Sequence, residues 1–438
     1  MRILYVSQYY PPEMGAPAAR VSELARRWAG QGHRVTVLTG FPNHPTGVVP
    51  EPYRGKRWRL AMAERIDGVD VARTWLAPTP NRKAWERVLN YASFCGSAAL
   101  RGGLLGRPDV LVATSPQLLV GVAGWWLSRV KGCPFVFEVR DLWPESLVAS
   151  GVGRERSLFI RGLSRLAQYL YGAASHVVTV SEAMKEELVT ARGVPSEKVS
   201  VVENGVETDL FRPMATERCR SALGLPVDRF IVSYIGTLGL AHNLGSVLEM
   251  AASLKRGLPR ALVLLVGAGA DGEALREEAR RRGLDNVRFF GQQPRERVPT
   301  FINASDLCLV TLRQAGVFRT VIPSKMLEFM ACARPVVLAV DGQARAIVEA
   351  AGAGRFVPPQ DGDALAGAVI DLERDPDERR RLGANGRTHV LERFHRQRQA
   401  ERYLDLLHRV AAARGRVDSL SVAEAPDDGL RHAGGTRP

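Results

Sequence analysis

Short apolar runs alternate with helix-period stretches along this chain, and the alternation restarts about half-way. Ile3–Val6 is followed by Val21, Leu24, Ala25 and Trp28 at i, i+3, i+4, i+7, and Gly32 then leads to the run Val35–Leu38. Further strand candidates are Val69–Thr74, Asp109–Ala113, Phe135–Val139, Val177–Val180 and Val199–Val202. Helical stretches separate them, among them Leu158–Tyr171 and Glu182–Ala191, and Ser115-Pro116 reads as a cap with proline in the first turn. A second series follows: Phe230–Ile235, Leu262–Val266, Val287–Phe290, Leu307–Thr311, Val336–Val340 and Arg355–Val357. Strands separated by helices predict parallel sheets wrapped on both faces. Phe211-Arg212-Pro213 and Leu225-Pro226 mark a boundary near 205–228. The fold class is therefore α/β, with two doubly wound units of ~200 residues each and a ligand cleft between them.

Composition limits the partners. Lys and Arg number 60 against 46 Asp and Glu, a net charge of +14, which favours nucleotide phosphates, nucleic acid or an acidic membrane face. Hydrophobic residues at 45% and charged residues at 24% exclude a disordered chain, a collagen and a coiled coil. Cys95, Cys133, Cys219, Cys308 and Cys332 show no CxxC spacing, so neither a disulfide framework nor a zinc site is expected, and a reducing compartment fits best. The start, MRILYVSQYYPP, reads as a first strand rather than a signal peptide, and the run Leu118 to Leu127 is too short to span a bilayer. The cytoplasm is therefore the expected location, with the inner face of the cytoplasmic membrane as an expected resting surface. Residues from about Gly415 onward mix Gly, Pro, Asp and Arg without period and read as a disordered tail.

Several segments have the composition of a site. In PPEMGAPAAR, Gly15 lets backbone approach an anion at a helix start, and Arg20 lies about a turn further on. IGTLGLAHN places Gly236 and Gly239 after the first strand of the second unit, without the GxGxxG spacing of a dinucleotide site, and GAGADGE at 267–273 is a similar turn. In IPSKMLEFMA, Ser324 can cap a helix with Lys325 in its first turn, where a cation is unfavourable unless an anion binds. Lys325 and Glu328 share a helix face, so they form either a phosphate-and-ribose clamp or a surface ion pair. FEVRDLWPES sets Arg140, Asp141 and Glu145 at a strand's end, suited to acid–base work or to helix capping. Asp361-Gly362-Asp363 and Asp375-Pro376-Asp377 precede helical patterns and read as caps rather than metal ligands, and no HExxH, GxSxG or GxxxxGK[ST] occurs. The stretch Asn81–Gly106 carries Arg82, Lys83, Arg87 and Arg101 beside Trp85, Val88, Leu89, Tyr91, Phe94 and Leu100. It is either a basic amphipathic helix on anionic lipid or a domain helix with solvated charges.

Taken together, PPEMGAPAARVSELARRWAGQGHRVTVLTG, VTVSEAMKEEL, KVSVVENGVETDLFRP, IGTLG, VRFFGQQP and PSKMLEFMACARPVV resemble the retaining GT-B glycosyltransferases of family 4. FPNHPTG and RDLWPES are similar to the subgroup that adds N-acetylated amino sugars, of fucosamine type, in O-antigen and capsule synthesis. The resemblance implies an acceptor-binding Rossmann-like domain over 1–205 and a nucleotide-sugar-binding one over 206–390. A C-terminal helix over 391–414 is expected to pack back on the first domain, with a disordered tail over 415–438. It implies transfer of a sugar, with retention, from a UDP-linked donor to a lipid-linked glycan hydroxyl, with no cofactor and no metal.

Glu328 matches the second Glu of the family's ribose motif; the first falls at Thr320, so that carboxylate is missing. The family's basic pair falls at Thr237 and His242, a His at Arg140, and the Gly of the ACG segment at Ala333. Expected donor-binding residues are therefore Gly15, Arg20, Gly236, Thr237, Thr320, Ser324, Lys325 and Glu328. Asp141 and Arg140 are the expected catalytic pair, Glu13, His44 and Glu145 the acceptor-binding residues, and Asn204-Gly205 lies near the hinge. The competing readings are a nucleotide-sugar epimerase or hydrolase of the same fold, and a basic nucleic-acid-binding protein. No helix-turn-helix or aromatic RNA-binding motif supports the last, so the positive charge is assigned to donor phosphates and a membrane.

Overall fold

The computed structural model describes residues 1–13, 15–44, 46–55, 60–80, 84–146 and 157–423. Two sheets account for its strands. The first has the order β3-β4-β2-β1-β5-β6-β7-β8. It comprises β1 (Arg2–Val6), β2 (Arg34–Gly40), β3 (Ala61–Ile66), β4 (Val69–Thr74), β5 (Val110–Thr114), β6 (Phe135–Val139), β7 (His176–Thr179) and β8 (Val199–Val201). The second, in the order β11-β10-β9-β12-β13-β14, contains β9 (Phe230–Ile235), β10 (Ala261–Val266), β11 (Val287–Phe290), β12 (Leu307–Thr311), β13 (Val336–Ala339) and β14 (Gly354–Phe356). Every pairing is parallel except β3 with β4. Strand β3 is the one addition to the sequence expectation. Its AMAERI is half-exposed and polar, as an antiparallel edge strand allows, and Asp67 and Gly68 make the hairpin turn with φ of 49° and 81°.

Central strands are apolar at nearly every position because helices cover both faces of each sheet. In the first sheet Leu4, Val6, Leu111 and Phe137 face one core, while Ile3, Tyr5, Val112 and Val136 face the other, following the two-residue period. Helices α2 (Ala84–Gly103), α3 (Leu119–Lys131) and α4 (Leu158–Ala173) cover the first of these faces. Helix α1 (Ala16–Gly30) covers the other, helped by the long C-terminal helix Arg396–Ala423. Trp28 on α1 donates its indole N–H to the Ala400 carbonyl (3.0 Å) and sits edge-on to Tyr403 (5.4 Å). The C-terminal helix extends to Ala423, so residues 415–423 are helical where a disordered tail was expected; 424–438 lie outside the described residues.

The expected cap at Ser115 is not formed. Helix α3 begins later, at Leu119, and Gln117 accepts the Val120 N–H at 3.2 Å, while the Ser115 hydroxyl accepts the Arg140 N–H at 2.7 Å. Asp361 and Asp375 do cap helices, accepting the N–H groups of Ala364 (2.8 Å) and Glu378 (2.9 Å).

The chain passes between the two sheet units twice, side by side: Val206 bridges His395, and Arg393 pairs with Glu203 at 3.0 Å. In the second unit the loops after β9 and β10 touch backbone to backbone. A Cβ on Gly267 (φ 140°) would lie 1.9 Å from the Gly236 carbonyl oxygen, and neither loop has a flexible tip that could yield. Gly267→Ala is therefore expected to cost about 2–4 kcal/mol through strain and overpacking, read as a lower denaturant midpoint at unchanged slope.

Candidate active site

The second unit gathers Lys325, Tyr234, Gly236 and His242 at the end of β9. Helix α5 (Ser324–Ala331) starts after Pro323, and no side chain caps it. Ser324 is its first residue rather than its cap, which leaves first-turn amides and the positive end of the helix for an anion. Lys325 follows in the first turn. Its ammonium donates to the Tyr234 hydroxyl at 2.7 Å and lies 4.0 Å from the centre of that ring. Tyr234 in turn donates its hydroxyl hydrogen bond to the Thr237 carbonyl at 2.9 Å, while the Thr237 side chain is exposed. Gly236 (φ 148°) lies directly beneath the ammonium: a Cβ there would be 2.5 Å from the Lys325 nitrogen. Burial pulls the Lys325 pKa down to about 7, with Glu328 acting against the shift. His242 lies at 6.0 Å from Tyr234, ring to ring, and its Nδ1 is buried with no hydrogen-bond partner. Burial, then the Lys325 charge, lower its pKa to about 3, so it is neutral near pH 7.

Glu328 lies one turn further along α5. Burial raises its pKa, and the Arg295 and Lys325 charges oppose that. Arg295 approaches it at 3.4 Å and also reaches across to the first unit, contacting Glu23 on α1 at 2.9 Å. Glu23 pairs with Arg396 as well, so three charged side chains join α1, the loop after β11 and the C-terminal helix. Thr320 ends a 3-10 turn, and its carbonyl accepts the Ser181 hydroxyl from the end of β7 at 2.6 Å. The C-terminal ends of the two sheets therefore face each other.

On the first unit the structure brings Gly15, Arg140 and Asp141 together. Gly15 (φ 132°) precedes α1 and is exposed. Arg140 leaves the end of β6 and donates to the carbonyls of Ala16 (3.2 Å) and Pro17 (3.4 Å) in the first turn of α1. Its buried Nε has no hydrogen-bond partner. Burial lowers the Arg140 pKa, helped by the Arg20 charge, and burial raises that of Asp141 against the pull of Arg140. Asp141 is half-buried beside Trp143, whose ring meets Tyr91 edge-on at 6.4 Å.

Three sequence candidates sit elsewhere than expected. Arg20 does not point to a ligand. It is 6% exposed, and its donors are taken by Glu138 (2.8 Å), the Val202 and Glu203 carbonyls (2.9 and 3.1 Å) and Asn204 (3.1 Å), which makes it an internal strut of the first unit. Glu13 is buried and spends one oxygen on the N–H groups of Asn43 and His44, both at 2.9 Å, tying two loops together; burial lifts its pKa to about 7. Glu145 is exposed and pairs with Arg192 at 2.5 Å. His44 itself is exposed, edge-on to Tyr9 at 5.2 Å, at the rim of the same loops.

The comparisons with known proteins agree with this fold. Residues 15–205 match the glycosyl transferase 4-like domain family and residues 216–389 match the glycosyl transferases group 1 family. The chain is a GT-B glycosyltransferase of this 4-like, group 1 family. It is 27% identical over 344 residues to the glycosyl transferase WcaI of Escherichia coli strain K12, covering 76% of this chain and 81% of WcaI, whose name ties it provisionally to colanic acid biosynthesis. Sucrose-phosphate synthase from Thermosynechococcus elongatus superposes with a TM-score of 0.74 at 22% identity, covering 94% of this chain and 99% of that one. Anabaena HepE, solved with UDP-glucose, superposes with a TM-score of 0.70 at 19% identity, covering 93% and 99%.

Two residues of this glycosyltransferase's cleft were not singled out by sequence. Tyr234 lies within an apolar strand and reads as core, although a hydroxyl two residues before a loop glycine was a usable signal. Arg295 follows directly after the VRFFGQQP segment in a run of charges that looks like a solvated surface. Among the described residues no cluster of His, Cys, Asp and Glu is arranged to hold a metal ion, and no helix is long and apolar enough to cross a membrane.

Proposed function

We propose that this glycosyltransferase binds a nucleoside-diphosphate sugar on the second unit and transfers the sugar, with retention, to a hydroxyl of a lipid-linked glycan in cell-surface polysaccharide synthesis. The observation that carries the reading is the Lys325 ammonium, buried over Gly236 at the open start of α5, with Glu328 one turn away. The Lys325 ammonium donates to the neutral Tyr234 hydroxyl and, among the described residues, has no carboxylate within 4 Å; a diphosphate supplies the missing anion. As the bond from anomeric carbon to phosphate oxygen breaks, negative charge grows on the leaving diphosphate, and Lys325 with the α5 amides stabilises it. Glu328 accepts from the ribose hydroxyls. Asp141, across the cleft beside Arg140, orients the acceptor or the reacting sugar. Retention follows if the acceptor attacks from the leaving-group face and its proton passes to the departing phosphate.

UDP is the expected nucleotide of the donor, supported by the likeness to a fold solved with UDP-glucose. An N-acetylated amino or deoxy sugar and a lipid-linked acceptor are expected from the resemblance carried by FPNHPTG and RDLWPES, and polysaccharide synthesis is supported by the likeness to WcaI, named for colanic acid biosynthesis. A thermal-shift series with UDP, GDP, dTDP and ADP tests the donor clamp. UDP at about a hundred times its Kd should contribute roughly 2.7 kcal/mol and raise the melting temperature by a few degrees. Glu328→Ala should lose most of that shift. If no diphosphate stabilises the wild type, the proposal fails. Asp141→Asn should keep the UDP shift and lower kcat by about 100-fold or more.

A further inference from the structure

Arg295 holds a position that the donor clamp by itself does not require. It stands in the short turn Arg295–Arg297 after β11, on the second unit, with its side chain 31% exposed where the two units meet. Its two terminal nitrogens part. Nη1 approaches Glu328 Oε1 on α5 at 3.4 Å, and Nη2 pairs with Glu23 Oε1 on α1 at 2.9 Å. A guanidinium and a carboxylate ordinarily meet two by two, both nitrogens on both oxygens of one partner. Here the fork is split between two carboxylates, and Glu328 receives the longer, weaker bond. Glu328 Oε2 accepts no hydrogen bond among the described residues.

The carboxylates around Arg295 are unequally supplied with cations. Glu23 is buried and also pairs with Arg396, which donates to the Gly205 carbonyl where the chain passes between the units. A Cβ on Gly205 would lie 2.6 Å from the Arg396 Cα, so backbone there is packed against backbone and Glu23 has a fixed anchor. Glu207, just beyond that crossing, lies 3.9 Å from Arg295 but is held by Arg26 at 2.5 Å. Glu328 depends on Arg295. No other cation comes within 4 Å of it among the described residues, since Lys325 points to Tyr234. Its side chain is 15% exposed, and burial works against its charge. The state of the Glu328 carboxylate therefore follows from where Arg295 is held, and a first-unit carboxylate holds it.

We propose that Glu23 and Arg295 are positioning residues for the donor's ribose. Glu23 keeps one arm of Arg295 on the first unit. The other arm supports the Glu328 charge through Oε1 and leaves Oε2 to accept a ribose hydroxyl. Without Glu23 the guanidinium closes on both oxygens of Glu328 and competes with the ribose diol. A donor contact made by the second unit is thus completed by a residue of the first. By linkage, the bound diol favours the split arrangement in return. This role rests on the ribose contact proposed above for Glu328.

Isothermal titration of the full chain with UDP and with 2′,3′-dideoxy-UDP tests it. Wild type should bind UDP at least about ten-fold more tightly, through hydroxyl bonds to a charged acceptor. Glu23→Gln should lower UDP affinity about five- to ten-fold and leave dideoxy-UDP within about two-fold of wild type. In an Arg295→Met background the same Glu23→Gln change should alter UDP affinity by less than about two-fold, because its effect passes through the guanidinium. A loosened fold gives another pattern: it weakens both nucleotides and persists in the Arg295→Met background. If Glu23→Gln does not fold, Glu23→Asp takes its place with the same expected pattern, since it keeps a charge for Arg396 but stands one methylene further from Arg295. The proposal is overturned if the Glu23 variant weakens both nucleotides alike or neither, or if its effect survives in Arg295→Met. A wild type that binds UDP no better than dideoxy-UDP overturns it through the ribose role of Glu328. One that binds neither overturns the donor clamp itself.

Discussion

Lys325→Met should weaken nucleotide-sugar binding roughly 100-fold, about 3 kcal/mol, while leaving the folded state as stable as wild type or slightly more so. The loss follows from removing a charge-assisted hydrogen bond to phosphate at a partly buried site. The gain follows because an unpaired buried ammonium is costly, as its pKa of about 7 records. A surface ion pair would give the opposite pattern, with little change in binding and a small loss of stability.

The pH dependence sharpens this prediction. Binding of a diphosphate favours the charged ammonium, so the Lys325 pKa is higher in the complex than the value of about 7 in the free protein. Affinity is then fully developed below pH 7. It falls by up to about ten-fold per pH unit above that, until the pKa of the complex is reached. UDP-glucose is the suitable probe, because its diphosphate is a diester and does not titrate in this window. Isothermal titration across it should show a slope for wild type and none for Lys325→Met. A flat wild-type profile would mean that the ammonium is not in contact with the phosphates.

Arg20→Met should destabilise the protein by about 3–5 kcal/mol with little direct effect on donor affinity. Arg20 pairs at 2.7 Å with Glu138, a carboxylate with no exposure that also accepts the Tyr5 hydroxyl at 2.7 Å. Removing the guanidinium leaves Glu138 buried and unpaired and frees the carbonyls of Val202 and Glu203, which is the costly way to break a buried pair. The sign with pH also changes. Burial works to raise the Glu138 pKa, but the Arg20 and Arg140 charges outweigh it and hold it below the ordinary value. In wild type this contribution is present above the ordinary carboxylate range and is lost as pH falls through the lowered pKa. Without Arg20, burial dominates and the pKa rises, so the variant's deficit should be larger at neutral pH than in mild acid. Urea unfolding at both pH values reads this directly, and equal deficits would contradict the strut.

How much of the site was legible can be seen residue by residue. The structure brings Lys325 and Gly236 together, and their local context in the sequence is odd: a cation in a helix's first turn, and a glycine at a strand's end. Glu328 followed from helical spacing. Arg20 had the same local signature as a phosphate ligand, one turn into a helix after a glycine loop, yet it serves the interior. Its direction is set by Glu138, more than a hundred residues away and buried in the next-but-one strand of the sheet. Glu13 and Glu145 were misread for the same reason, since their partners are a loop backbone and an arginine brought close only by folding.

The sequence by itself determined two sheets built on parallel strands, the order of their strands along the chain apart from the antiparallel edge strand β3, and the segments that end at the cleft. Those depend on apolar periodicity and on turn chemistry, which are local and repeated, so no single residue can obscure them. Only the tertiary structure decided which charges serve as internal struts and which are left at the open start of α5. It set Tyr234 under Lys325 and joined Arg295 to Glu23 and Glu328 across the cleft. The physical reason is that a charged side chain is long, and its free energy depends on whichever partner the fold brings within a few ångströms. Spacing along the chain carries no record of that distance.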